Sequence, residues 1–143
     1  MAIERTIDIS ASPDRIWDVM SDVARWPDWT PTVTSVELLD PGPLRVGMRA
    51  RIRQPRLPVA VWTVTAVDPG RGFTWKSVNP GVTAVADHLI DVRGTSSTSK
   101  VTLRLVWTGW MAWLIRLALG RLSRQYVQTE AESLKRFCER REA

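Results

Sequence analysis

The chain has 143 residues, 44% of them hydrophobic and 24% charged, with a formal net charge of +5. That length and balance fit one globular domain, 1–143, with enough apolar side chain to bury a core. A single cysteine, Cys138, excludes an internal disulfide framework and a cysteine-rich metal site, and no metal or cofactor is expected.

Ile3, Ile7 and Ile9 share one face of a first strand, with Glu4, Thr6 and Asp8 on the other. Ser12-Pro13-Asp14 then opens a helix: Ser12 as N-cap, Pro13 at the first helical position, Asp14 against the positive end of the dipole. Ile16, Val19, Met20 and Val23 follow at helical spacing, and Pro27 is expected to break that helix. A second, short helical turn fits between Pro27 and Pro31.

From Thr32 the period changes to two. Val33–Leu39 reads as a strand ended by the turn Asp40-Pro41-Gly42-Pro43. Met48, Ala50 and Ile52 alternate with Arg49, Arg51 and Arg53, a strand with a basic outer face. Val59–Val67 puts Trp62 and Val64 on one side. Asp68-Pro69-Gly70-Arg71-Gly72 leads into a strand whose Phe73 and Trp75 share a face. Val82–Val92 carries Ala84, Ala86, His88, Ile90 and Val92 on one face. A polar loop over 94–99 precedes Lys100–Trp107, where Val101, Leu103, Leu105 and Trp107 align. Short turns make these strands antiparallel neighbours.

The region from Met111 onward reads as one long amphipathic helix. Leu119, Leu122, Ser123, Tyr126, Val127, Glu130, Leu134, Phe137 and Cys138 fall on one side of the wheel. A long helix facing half-apolar strands suggests a sheet wrapped around a helix with a space between them. Glu130 is the odd member of the stripe.

Four stretches carry a family likeness. They are Ser12-Pro13 to Trp17 after the first strand, the Asp22–Trp29 segment with its Trp-Pro-Asp-Trp, the turns Pro41-Gly42 and Asp68-Pro69-Gly70-Arg71, and the His88 strand with its Ser/Thr-rich loop and Val101-Thr102-Leu103. In these the chain resembles the START-like (SRPBCC) superfamily, in its polyketide cyclase/dehydrase and lipid-transport branch. The resemblance implies an α+β helix-grip fold: a curved seven-stranded antiparallel sheet around the C-terminal helix, two short helices between strands 1 and 2, and an internal cavity. It also implies apolar or amphipathic ligands such as lipids or polyketides, with cyclisation or dehydration chemistry in a minority of members. It supplies no shared catalytic motif.

His88, the one histidine, stands beside small residues on an apolar strand face, so it is expected to point toward the helix as a polar contact for a ligand, as an acid or base, or as a satisfied core residue. Glu130 must be paired, hydrated or protonated if it faces the interior; His88, Tyr126 and Arg104 are its candidate partners, and solvent beyond the sheet edge is the alternative. The expected ligand wall is Trp62, Trp75, Ala86, His88, Ile90, Leu103, Trp107, Ser123, Tyr126 and Glu130, against the competing reading of a plain core. If the protein is an enzyme, His88 and Glu130 are its acid and base. A Ser-His-Asp arrangement fails, because Asp87 and His88, as strand neighbours, point to opposite faces. Trp26 and Trp29 are expected to pack the first helices onto the sheet, with cavity-rim contact as the alternative. Trp110, Met111, Trp113, Leu114, Leu117 and Ala118 form a second apolar feature, read first as buried against the N-terminal helices and alternatively as a cap on the cavity entrance or a protein- or membrane-contact surface beside Arg116 and Arg121.

The basic residues form no run of five or more, so nucleic acid is not an expected partner. No signal peptide is visible, and the longest apolar run, Trp110–Leu119, is too short to span a bilayer, which makes the cytoplasm the expectation. The leading functional expectation is a carrier or sensor of a small apolar molecule, monomeric or homodimeric. A cyclase/dehydratase-type enzyme and an interaction module with transient membrane contact are the alternatives.

Overall fold

The computed structural model describes residues 2–91 and 98–140. In chain order these form β1 (Ala2–Ile9), α1 (Pro13–Ser21), a 3₁₀ helix (Val23–Asp28), β2 (Ser35–Leu38), β3 (Arg49–Arg53), β4 (Ala60–Asp68), β5 (Gly72–Asn79), β6 (Val82–Asp91), β7 (Ser99–Thr108) and α2 (Ala112–Glu139). The strands make one seven-stranded sheet in the order β1-β7-β6-β5-β4-β3-β2, with every pairing antiparallel. β1 and β2 are adjacent in sequence but lie at opposite edges. The segment between them must therefore cross the sheet, and it does so with α1 packed on α2 and β6 and the 3₁₀ helix on β2. Val92 and most of the expected polar loop lie outside the described residues.

Local chemistry accounts for the elements and for two departures from expectation. Ser12 caps α1 as its sequence predicts, its hydroxyl accepting from the Arg15 N–H at 3.2 Å. Pro27 does not end α1. The helix stops at Ser21, and Pro27 lies inside the 3₁₀ helix instead. The stop is set by Trp26, whose Nε1–H donates to the Met20 carbonyl at 3.0 Å and so occupies one of the acceptors left free at the helix end. β2 is shorter than the apolar run beginning at Val33. Val33 leaves the ladder to enter the core, while Thr34 still donates to the Arg53 carbonyl at 2.8 Å.

The sheet bends where β4 pairs with β5. The register slips between Val64 and Ala66, and such a bulge raises local twist. On the next strand Gly72 has φ of 150°, and a Cβ there would overlap the His88 carbonyl oxygen. Only glycine lets β5 begin this close to β6. The outer face of β3 is basic as expected and partly neutralised by its neighbours, Arg49 by Asp40 at 2.9 Å and Arg51 by Glu37 at 2.5 Å.

The C-terminal half of α2 is clamped to β1 and its exit. Glu139 accepts from the Ser10 N–H at 2.7 Å, and Lys135 Nζ donates to the Asp8 carbonyl at 3.0 Å. Ala131, Leu134 and Cys138 are buried in the core beside Ile9, Ile16 and Val101. The N-terminal part of α2 corrects an expectation. Trp113 and Leu117 are 65% and 78% exposed, and Trp110 just before the helix 77%, rather than buried, because they lie on the side opposite the Leu119–Cys138 stripe, whereas Ala112 is buried.

Candidate functional site

Between the concave face of the sheet and the middle of α2 lies a cavity of about 170 Å³. Of the residues expected from the sequence, Trp62, Trp75, Ala86, His88, Leu103, Trp107, Ser123, Tyr126 and Glu130 line it. Ile90 does not. It shares the face of His88 but sits one step further along β6, where it is buried in the core that also takes in residues of α1 and the C-terminal part of α2. Alternation fixes a face and says nothing of depth along it.

His88 is enclosed by aromatics. Its imidazole stacks on Phe73, its cross-strand neighbour, with ring centroids 4.4 Å apart and planes 8° from parallel. Trp26 lies 5.4 Å away and Trp75 5.7 Å, the latter edge-on. Nδ1 is buried with no hydrogen-bond partner among the described residues. Nε2 faces Glu130, 3.8 Å from Oε2. Burial pushes the imidazole down to about 4, against a weaker upward pull from the Phe73 backbone and the Asp87 carboxylate, so the ring is neutral at pH 7. Asp87 itself turns to the other face of the sheet, where it accepts from the Thr74 hydroxyl at 2.6 Å.

Glu130 reaches the cavity from α2, with 16% of its side chain exposed. Burial pushes its carboxyl up to about 7. Two of its three expected partners are engaged elsewhere. Arg104 is drawn toward Glu4 at 3.9 Å on the outer side, and the Tyr126 hydroxyl donates to the Pro55 carbonyl. His88 remains. At 3.8 Å the two groups are past direct hydrogen-bond distance, but they bear on the same small volume. Their shifts have one cause and opposite signs: the apolar surroundings disfavour charge, leaving a neutral imidazole and a carboxyl that keeps its proton to neutral pH.

The rest of the wall comes from places the periodicity did not single out. Trp26 has the double role of closing α1 and lining the cavity. Its position after a short helix made packing the simpler reading of the sequence, although an excess of tryptophan over other aromatics was the available signal. Gln54 and Leu57, on the β3–β4 loop, form part of the rim, and the Tyr126–Pro55 hydrogen bond fastens this loop to α2. Loop residues have no period to read. Among the described residues no group of three or more His, Cys, Asp or Glu is gathered to hold a metal ion, and no helix is long and apolar enough to cross a membrane.

A curved antiparallel sheet closed on a long C-terminal helix, with a lined space between, defines the helix-grip class. Within it, the chain belongs to the polyketide cyclase/dehydrase and lipid transport family, whose model matches residues 1–139. No curated protein sequence matches the chain. The fold is shared with solved structures at low identity. The Zhui aromatase/cyclase from a Streptomyces species superposes with a TM-score of 0.68 at 17% identity, covering 96% of this chain and 95% of that one. Ginseng major latex-like protein 151 from Panax ginseng gives 0.76 at 14% identity, with 96% of each chain covered. XoxI from Bacillus cereus gives 0.73 at 18% identity, covering 95% of this chain and 94% of the other.

Proposed function

We propose that the protein binds a compact, largely apolar molecule carrying one polar group, as a carrier or sensor. The observation that carries this reading is an aromatic-walled cavity on which His88 and Glu130 converge. The volume limits the ligand. At roughly 10–15 Å³ per water-sized occupant, a cavity of about 170 Å³ holds about a dozen non-hydrogen atoms, as in a two-ring compound. The polar group is a neutral hydroxyl or carbonyl. A hydroxyl would donate to His88 Nε2 and accept from a protonated Glu130, and a charged group would meet the same desolvation that keeps both residues neutral.

The test is native mass spectrometry of the protein as purified, joined to titration of its tryptophan fluorescence with 2-naphthol and naphthalene. The reading expects a stoichiometric adduct of roughly 140–220 Da or saturable quenching in which 2-naphthol is the tighter ligand. A bare protein that neither compound quenches saturably would end it.

A second reading is favoured by the pair itself. A neutral imidazole and a protonated carboxyl on one cavity are the base and acid that a cyclase/dehydratase reaction needs, the imidazole taking a proton from an activated carbon and the carboxyl giving one to a departing hydroxyl. The Zhui structure is that of an aromatase/cyclase. His88→Ala separates the readings: a carrier loses affinity, whereas an enzyme loses turnover on substrate that still binds.

A further inference from the structure

We propose that the N-terminal third of α2 docks the protein on an anionic lipid surface. On α2, Leu117 stands four residues from Trp113 and three from Leu114, so the three share a helix face; Trp110 lies just before the helix, and all four are exposed. The same stripe continues into Arg121 and Arg124, which point away from the core. With a rise of about 1.5 Å per residue, these arginines stand about 6–10 Å further along the axis than Leu117. The cations thus flank the apolar patch, placed to meet lipid phosphates when the apolar side chains enter the acyl boundary.

Charge selects the occupant. The groove beside this stripe is lined by three arginines, Arg116, Arg121 and Arg124, and by no acidic residue among the described ones. α2 has no acidic residue in its first turn and no side-chain cap, so the positive end of its dipole is uncompensated on the same face. The groove, of about 320 Å³, also takes in Trp113 and Leu117. Among the described residues the Arg116 Nε–H is buried there without an acceptor, which a phosphate oxygen would supply. A second copy of this chain would bring the same cations against these and is disfavoured. Trp107 forms part of both the groove and the inner cavity, so the docked face backs directly onto the ligand site. The proposal stands on the surface alone and does not require the cavity to be occupied.

Vesicle flotation tests it, with phosphatidylglycerol–phosphatidylcholine vesicles set against phosphatidylcholine alone. The protein is expected to float with the anionic vesicles, less so at high salt. Trp113→Ser with Leu117→Ser, both at exposed positions, is expected to abolish flotation with the melting temperature kept. Each surface arginine contributes about fivefold, so Arg121→Gln with Arg124→Gln is expected to weaken binding by roughly twenty-five-fold. Equal flotation with both lipids, no flotation with either, or a Trp113→Ser/Leu117→Ser variant that floats like the native protein would overturn the proposal. So would concentration-dependent self-association lost in that variant, which would make a second copy the occupant.

Discussion

Replacing Glu130 by Gln removes one titration and keeps the shape of the side chain. In the folded protein the Glu130 carboxyl titrates at about 7, against 4.5 for the free group. The raised value means that the native state holds the proton more tightly than the unfolded chain. Glu130 is therefore harmless to stability below pH 4.5, and its burden grows as pH rises through 7. Two and a half pH units correspond to about 3 kcal/mol. His88 has the mirror behaviour. Its pKa falls from 6.5 to about 4, so stability is intact above 6.5 and is lost, again by about 3 kcal/mol, as pH falls through 4. Over pH 4.5–6.5 folding moves one proton from the imidazole to the carboxyl, and the two slopes cancel. The native protein should show little pH dependence from this pair in that window, and Glu130→Gln should expose the histidine slope. Urea unfolding of both proteins from pH 4.5 to 8 measures this. The stability of Glu130→Gln relative to native should rise by about 3 kcal/mol across the range. A constant difference between the two curves would refute the assignment of Glu130 to a desolvated site facing His88.

Gly72→Ala should cost more than about 2 kcal/mol, because the backbone is in a glycine conformation and the new methyl would run into the His88 carbonyl; denaturant unfolding would register it, and a near-neutral result would mean that β5 and β6 are further apart. Burial pushes the Cys138 thiol up to about 11, so at pH 8 it should react with a disulfide reagent far more slowly in the native protein than in urea, and equal rates would contradict its burial.

Much of the fold was legible because alternation is a direct readout of a half-buried strand. Arg49–Arg53 is the plainest case, each arginine outward and each apolar residue inward. The Ser12 cap was equally legible, since its chemistry is local. Three kinds of information were not. Depth along a strand separates His88 from Ile90, and it depends on which element covers each. The stop of α1 comes from a ring six residues on, and its hydrogen bond to Met20 outweighs the punctuation expected of Pro27. Whether anything covers the second side of α2 is a tertiary property, so the Trp110–Ala118 feature, read first as buried, carries large side chains that are bare. For the site, the sequence identified both members of the polar pair through their chemical oddity among apolar neighbours. It could not choose among three partners for Glu130, because Arg104 and Tyr126 are occupied by contacts that only the assembled sheet creates.

The pairing of β1 with β7, from Ala2 with Val106 to Ile9 with Ser99, also orders the events of folding. β2 to β7 form a chain of antiparallel neighbours and can assemble by local zippering. β1 has no partner until β7 has been made, and most of the chain must be gathered into one closed loop before their contact is repaid. β1, made before the other six strands, is thus among the last to be placed. Until then β7 offers a bare edge to other nascent chains. Aggregation during expression should accordingly be governed by that edge, and changes that weaken β1 should lower the yield of native protein more than they alter its stability once formed.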